Sequence, residues 1–274
     1  MEKGKPRSDR LQERRKKINQ SLEKVRHKIA VISGKGGVGK STVATNLATA
    51  LSIRDYVVGL IDCDLHGPSI PKLLGVRDQR ATGSQGRINP LLTDFGLKVI
   101  SMDPLLPKKD SPVIWRGPLK MKAIQQFIGD VQWGDLDHLI FDLPPGTGDE
   151  PLSIAQLVPD PDGAVIVTTP QEVALQTIRR TVEFARKVNL PVLGVVENMS
   201  GFICPHCGKK TDIFGSGGGE KLAAEVGIPF LGKIPLSPEI EQSGEVGRPF
   251  VLNEDTPATK AFNAIVDKLE EAIQ

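Results

Sequence analysis

Apolar residues along this chain come in short runs rather than in a strict alternation with polar ones. "IAVIS" (29–33), "VVGLID" (57–62), "LKVIS" (97–101), "HLIFD" (138–142), "AVIVTT" (164–169) and "VLGVVE" (192–197) are rich in β-branched residues and too short for buried helices. Such runs read as strands covered on both faces. Helical stretches at 40–53, 117–129 and 171–188 lie between many of them. The alternation predicts an α/β fold, a mainly parallel sheet with helices on both faces. Ligands of such sheets collect at the carboxyl ends of the strands.

Two segments break the pattern. Residues 78–96, "DQRATGSQGRINPLLTDFG", are polar and without clear period, which predicts a mobile loop or a small hairpin. Residues 201–219, "GFICPHCGKKTDIFGSGGG", form a second irregular insert, rich in glycine. There is no internal repeat and no linker long enough to divide the chain. We therefore expect one domain over 28–274, carrying the insert and preceded by an N-terminal extension, 1–27.

Charge sets that extension apart. The 274 residues carry a net charge of +2, but residues 1–28 alone hold eleven Lys or Arg against four acids. Such a tail could dock on nucleic acid, an acidic membrane surface or an acidic partner, and it reads equally as a solvated helix or arm. Leu11, Ile18, Leu22 and Val25 fall on one helical stripe that could pack on the body. No apolar run approaches the ~20 residues of a membrane span, and "MEKGKPRSDR" lacks the apolar core of a secretory signal. The expected location is the cytoplasm, with neither a membrane nor nucleic acid as partner.

The most specific motif is "SGKGGVGKST" (33–42). It contains G-x-x-x-x-G-K-S/T between a strand and a helix, the context of a P-loop NTPase. Gly34, Gly36, Gly37 and Gly39 let the backbone curl so that amides face phosphates at a helix N-terminus. Lys40 is expected to reach the β- and γ-phosphates of ATP and Ser41 to bind Mg²⁺. Lys35, Val38 and Thr42 complete the expected nucleotide-binding loop. Asp62 and Asp64 end one predicted strand, and Asp142 ends another ahead of "LPPGTGD". Strand-end aspartates often serve only as caps or turn residues. Here, one carboxylate could hold Mg²⁺ through water, and another could orient the attacking water.

Three cysteines, Cys63, Cys204 and Cys207, do not make a disulfide framework. Cys63 reads as a packing residue. The C-x-x-C of Cys204 and Cys207 leaves redox chemistry, zinc and an iron–sulfur cluster open. The histidines at 27, 66, 138 and 206 are scattered, and none reads as catalytic.

Taken together, "KGGVGKST", "DCDLHGPSIPKLLG", "DLPPGTGDEPLSIAQ", "VVENMSGFICPHCG" and "IFGSGGGEKLA" resemble the Mrp-type (ApbC-like) iron–sulfur cluster carrier ATPases. These belong to the deviant Walker A class, with the septum-site and plasmid-partition ATPases and the nitrogenase iron protein. The resemblance spans about 28–274. It implies a face-to-face homodimer in which Lys35 crosses to the phosphates of the other subunit. It also implies that Asp64 is the catalytic switch aspartate, that Asp142 is linked to Mg²⁺ and that Asn198 reads adenine. Cys204 and Cys207 of both chains would hold a 4Fe-4S cluster for delivery to apo iron–sulfur proteins, four thiolates meeting across a two-fold axis. Zinc could take the cluster's place. Other members of the class imply different functions, a spatial organiser that binds DNA or membrane and an ATP-driven electron-transfer protein.

Overall fold

The computed structural model describes residues 7–64, 67–84, 86–101, 117–204 and 206–274. His66 and the first six residues of the basic tail lie outside them. The chain opens with α1 (Arg7–Leu22) and β1 (Val25–Ile32), and the phosphate loop leads into α2 (Lys40–Ser52). Next come β2 (Val58–Asp62) and the single-turn α3 (Ile70–Leu73). Three two-residue strands follow, β3 (Gly83–Ser84), β4 (Arg87–Ile88) and β5 (Leu91–Leu92), and then β6 (Lys98–Ile100). After α4 (Gly117–Gly129) come β7 (Leu136–Asp142), α5 (Asp149–Ala155), β8 (Gly163–Thr168) and α6 (Glu172–Lys187). β9 (Val192–Glu197) precedes a hairpin of β10 (Phe202–Ile203) and β11 (Lys210–Thr211). The chain ends with α7 (Gly218–Val226), β12 (Phe230–Lys233), α8 (Pro238–Val246) and α9 (Pro257–Ile273).

Among the described residues, eight strands form one sheet in the order β12-β9-β8-β1-β7-β2-β6-β5. Every pairing is parallel except that of β5 with β6. Alternate side chains of β1 serve opposite faces, Ile29 and Val31 one core and Ala30 and Ile32 the other. On the first face α2 and α9 supply Leu47, Leu51, Phe262 and Ile265. The second takes Ile124 and Phe127 of α4 with Ile178 and Val182 of α6. Each such side chain contributes about 1.5–3 kcal/mol on burial, so the sheet is held from both sides and its carboxyl ends form a rigid rim.

Three details differ from the sequence pattern. The apolar stripe of the tail crosses a boundary, because Ile18 and Leu22 lie in α1 whereas Val25 starts β1. All three are buried, and α1 packs along α4 with Arg14 Nη1 donating to Gln125 Oε1 at 2.7 Å. Residues 78–96 contain the small hairpin of β3 and β4, and Leu91 and Leu92 go on to join the main sheet as its antiparallel edge. β12, only partly buried and short, forms the opposite edge.

Candidate functional site

β1 delivers the chain to the phosphate loop at the centre of the sheet, and the loop turns into α2 at Gly39. Gly39 has φ +80°, and a Cβ there would lie 2.2 Å from Asn198 Nδ2. Only glycine allows both the left-handed turn and that approach. The loop's amides therefore precede α2 directly, the arrangement that receives phosphate.

Two carboxylates stand behind the loop because β2 and β7 run side by side with Asp62 paired to Asp142. Asp142 is 0% exposed and Lys40 6%. Lys40 Nζ lies 2.5 Å from Asp142 Oδ1, and Ser41 Oγ donates to Asp142 Oδ2 at 2.6 Å. Burial still raises the pKa of Asp142, against the lowering influence of Lys40 and of the two hydrogen bonds. Asp62 is pushed up to about 8, by burial first and by the neighbouring Asp142 second. It accepts from Ser101 Oγ at 3.1 Å and from the amide of Asp64 at 3.1 Å. The pairing of Asp62 with Ser101 is invisible in the sequence, where the two residues stand in separate motifs.

Lys35, Gly36, Gly37, Lys40, Ser41, Thr42, Asp64 and Pro145 line one cleft of about 270 Å³. The amide of Gly146, four residues after Asp142, donates to Ser33 O at 2.8 Å and ties the "LPPGTGD" segment to the loop. A second cleft of about 450 Å³ adjoins through Gly39, Thr42, Ser69 and Leu73 and includes Asn198, Met199 and Leu236. The expected phosphate and adenine residues thus border one continuous groove. Gly34 and Val38 belong to the loop outside the cleft lining, and Asn198 Nδ2 donates to Val38 O at 2.9 Å.

Cys204 and Cys207 sit in the turn of the β10–β11 hairpin, on the same sheet rim. Cys204 is partly exposed and Cys207 exposed. The Cys204 amide donates to Lys209 O at 3.0 Å and Gly208 N to Cys204 O at 2.9 Å, which closes the turn. The amides of Cys207 and His206 hold the Cys204 thiol below its ordinary pKa, so the turn favours its thiolate form. Among the described residues no three His, Cys, Asp or Glu side chains gather as a metal site. Ile203, in the hairpin, and Ile213 and Phe214, just after it, are exposed. Cys63 is fully buried and its thiol is pushed well up by burial.

One residue of this rim carries no signal in the sequence. Glu197, the last residue of β9, is 0% exposed. Its carboxylate accepts from Ser200 Oγ at 2.5 Å, Gly217 N at 2.8 Å and Gly219 N at 2.5 Å.

Comparison with known proteins bears on the family and the fold. Residues 24–270 match the family model described as "ParA: NUBPL iron-transfer P-loop NTPase". The chain is 52% identical over 259 residues to the iron-sulfur cluster carrier protein of Saccharolobus solfataricus, covering 94% of this chain and 88% of the relative. It is 48% identical to a cytosolic Fe-S cluster assembly factor NUBP2 homolog of Nematostella vectensis, over 93% of this chain and 96% of that one. Among solved structures, the nucleotide-binding protein of Archaeoglobus fulgidus in complex with ADP superposes with a TM-score of 0.78 at 40% identity, covering 89% and 94% of the two chains. The cell division ATPase MinD of Pyrococcus furiosus shares the fold, with a TM-score of 0.64 at 24% identity over 89% and 98%.

Proposed function

Because the chain belongs to the NUBPL iron-transfer P-loop NTPase family, we propose that it is a homodimeric ATPase that carries a 4Fe-4S cluster between its subunits and delivers it to apo-proteins. The observation that carries this reading is the cysteine turn. It offers two cysteines per chain, one of them, Cys204, held toward the thiolate, in an exposed setting on the same rim as the phosphate loop. A cubane cluster takes four thiolates, and an isologous contact of two such turns supplies them.

ATP is read by the groove in three parts. The loop amides from Gly34 to Thr42 receive the phosphates, with Lys40 leaving Asp142 to meet them. Asn198 addresses the base with its amide. Lys35 reaches the partner subunit's bound phosphates and neutralises charge that builds during hydrolysis. Asp64 orients the attacking water. The hydroxyl of Ser41 and the carboxylate of Asp142 are the hard oxygen donors that Mg²⁺ prefers, and their 2.6 Å contact makes one site of them. Bound there, Mg²⁺ supplies charge neutralisation at the phosphates. Two ligands per subunit hold the cluster more loosely than four from one chain, which suits a cargo that must leave.

The spatial-organiser reading has less support. The apolar stripe of α9, with Phe262, Ile265, Val266 and Leu269, is buried against the sheet and is not available to a membrane. No helix among the described residues is long and apolar enough to cross one. The test is iron and acid-labile sulfide analysis on protein reconstituted without oxygen, beside Cys204→Ala. We expect about two irons and two sulfides per chain, half of a shared cubane, and their loss in the variant. Stoichiometric zinc without sulfide would overturn the cluster reading.

A further inference from the structure

Both ends of the cysteine insert return to one buried carboxylate. Ser200, the residue before the insert, donates to Glu197 Oε1, and Gly217, near its far end, donates to the same oxygen. Gly219 N reaches Oε2, so the carboxylate also caps the first turn of α7. All three are neutral donors, and together they replace the water that a carboxylate in this position has lost. A Cβ at Gly219 would stand 3.0 Å from Oε2, so the helix approaches Glu197 as closely as its backbone allows.

From this clamp a ladder of contacts climbs to the thiols. Ser200 Oγ meets Ser216 Oγ at 3.0 Å, and Gly201 N donates to Gly215 O at 3.3 Å. Phe202 then pairs with Thr211 and Ile203 with Lys210, and the amide of Cys204 closes the turn on Lys209 O. On the other side of Glu197, the next residue is Asn198. Its side chain holds Val38 O in the phosphate loop and lines the larger cleft. The dipeptide Glu197–Asn198 is therefore a joint, with one residue fastened to the nucleotide loop and its neighbour to the cysteine hairpin.

We infer that Glu197 is a positioning residue that couples nucleotide occupancy to the reactivity of Cys204 and Cys207. The inference rests on the proposed use of these thiols as ligands, but the coupling belongs to the metal-free chain. A nucleotide that engages Asn198 shifts the end of β9, and the clamp passes the shift to the stem of the hairpin. Without the carboxylate, the stem keeps its own strand pairing but loses its registration with the loop.

The test is site-resolved alkylation of the metal-free thiols by N-ethylmaleimide, followed by mass spectrometry. It is run with and without Mg²⁺ and a non-hydrolysable ATP analogue. In the wild-type chain the analogue changes the rate at Cys204 and Cys207 by about fivefold or more, the lower end of ordinary coupling between sites. In Glu197→Gln this factor falls to about one, while analogue affinity by calorimetry stays within about threefold, well below the loss of a direct contact. Glu197→Gln sets an amide against backbone donors, at a cost to the fold, so Ser200→Ala is the second variant. It removes one donor, keeps both backbone bonds and lowers the factor part of the way. A wild-type rate indifferent to nucleotide, or a factor unchanged in the folded variants, overturns the inference. Failure of iron analysis with the alkylation result intact would sink the cluster reading and leave the coupling standing.

Discussion

In the phosphate loop, the buried Lys40, Asp142 and Asp62 behind the glycines are each answered by a polar partner within the same chain. Lys40 lies between Asp142 and Ser41, and Asp62 lies against Ser101. The cysteine hairpin is the opposite case, with Cys207, Ile213 and Phe214 turned to solvent and its fastening confined to the stem, at Glu197, Ile234 and Leu236. A buried site is costly to alter, because each partner removed leaves a charge stranded in low dielectric. An exposed one costs little to alter, and two thiols alone leave a four-coordinate metal centre unfilled. The two regions should therefore respond to mutation in opposite currencies, stability and nucleotide for the first, cargo alone for the second.

The largest break in that contrast comes from Lys40→Ala. Removing the ammonium leaves the buried Asp142 without its counter-charge, which should cost about 3–5 kcal/mol of folding stability besides abolishing nucleotide binding. Adding Asp142→Asn should restore much of the stability and none of the binding. Denaturant unfolding beside nucleotide titration separates the two effects. A single variant as stable as the wild type would show that the buried pair is not the strut described here.

Gly39→Ala is next. Its φ of +80° and the 2.2 Å approach to Asn198 Nδ2 leave no room for a methyl group. We expect roughly 1–3 kcal/mol of strain and weakened nucleotide binding through loss of the Asn198 bond to Val38. Gly208, also at positive φ but with nothing near its would-be Cβ, is the control in the cysteine hairpin. Gly208→Ala should cost less in a thermal melt and leave nucleotide affinity alone.

The sequence already displayed much of this rim. Parallel strands buried on both faces are continuous apolar runs, so β1, β2, β7, β8 and β9 were legible, and each signature residue stands at or just beyond a strand end. β5 and β12 were not, because edge strands of two and four residues lack both length and full burial. Val25 extended a helical stripe by accident of spacing, seven residues beyond Ile18, although the helix ends at Leu22. Glu197 escaped notice for a different reason. Nothing in "VVENMS" reveals that the acid folds back onto amides some twenty residues later, since a carboxylate's partner is a property of topology.

The pH response offers a finer distinction. Asp62 has its folded pKa raised to about 8 by burial and by Asp142, so the folded chain keeps a proton that the unfolded chain has released. That contribution is whole below about pH 4 and is lost as pH rises through 8, at up to about 1.4 kcal/mol per unit. Chemical unfolding of nucleotide-free protein between pH 5 and 8 should show this decline, and Asp62→Asn should flatten it. His138, at the other end of the sheet, works in the reverse sense. Burial and then His27 lower its pKa to about 4, so its contribution is lost as pH falls from about 6.5 toward 4. An Asp62→Asn profile parallel to that of the wild type would mean that the carboxyl is ionised in the fold.

The smallest expected effect on the fold completes the comparison. Cys204→Ala and Cys207→Ala remove side chains from an exposed turn whose backbone bonds, Cys204 N to Lys209 O and Gly208 N to Cys204 O, do not involve sulfur. Stability should move by no more than about 0.5 kcal/mol, the range of surface substitutions, and nucleotide affinity should not move. Alkylation adds a chemical reading of the same contrast. Cys204, held toward the thiolate by neighbouring amides, should react readily near neutral pH, whereas Cys63, buried and pushed up, should react only on unfolding. Equal labelling of the two in the folded chain would erase the difference between the regions. A fold that collapsed without Cys204 would show instead that the hairpin is a strut and not a handle.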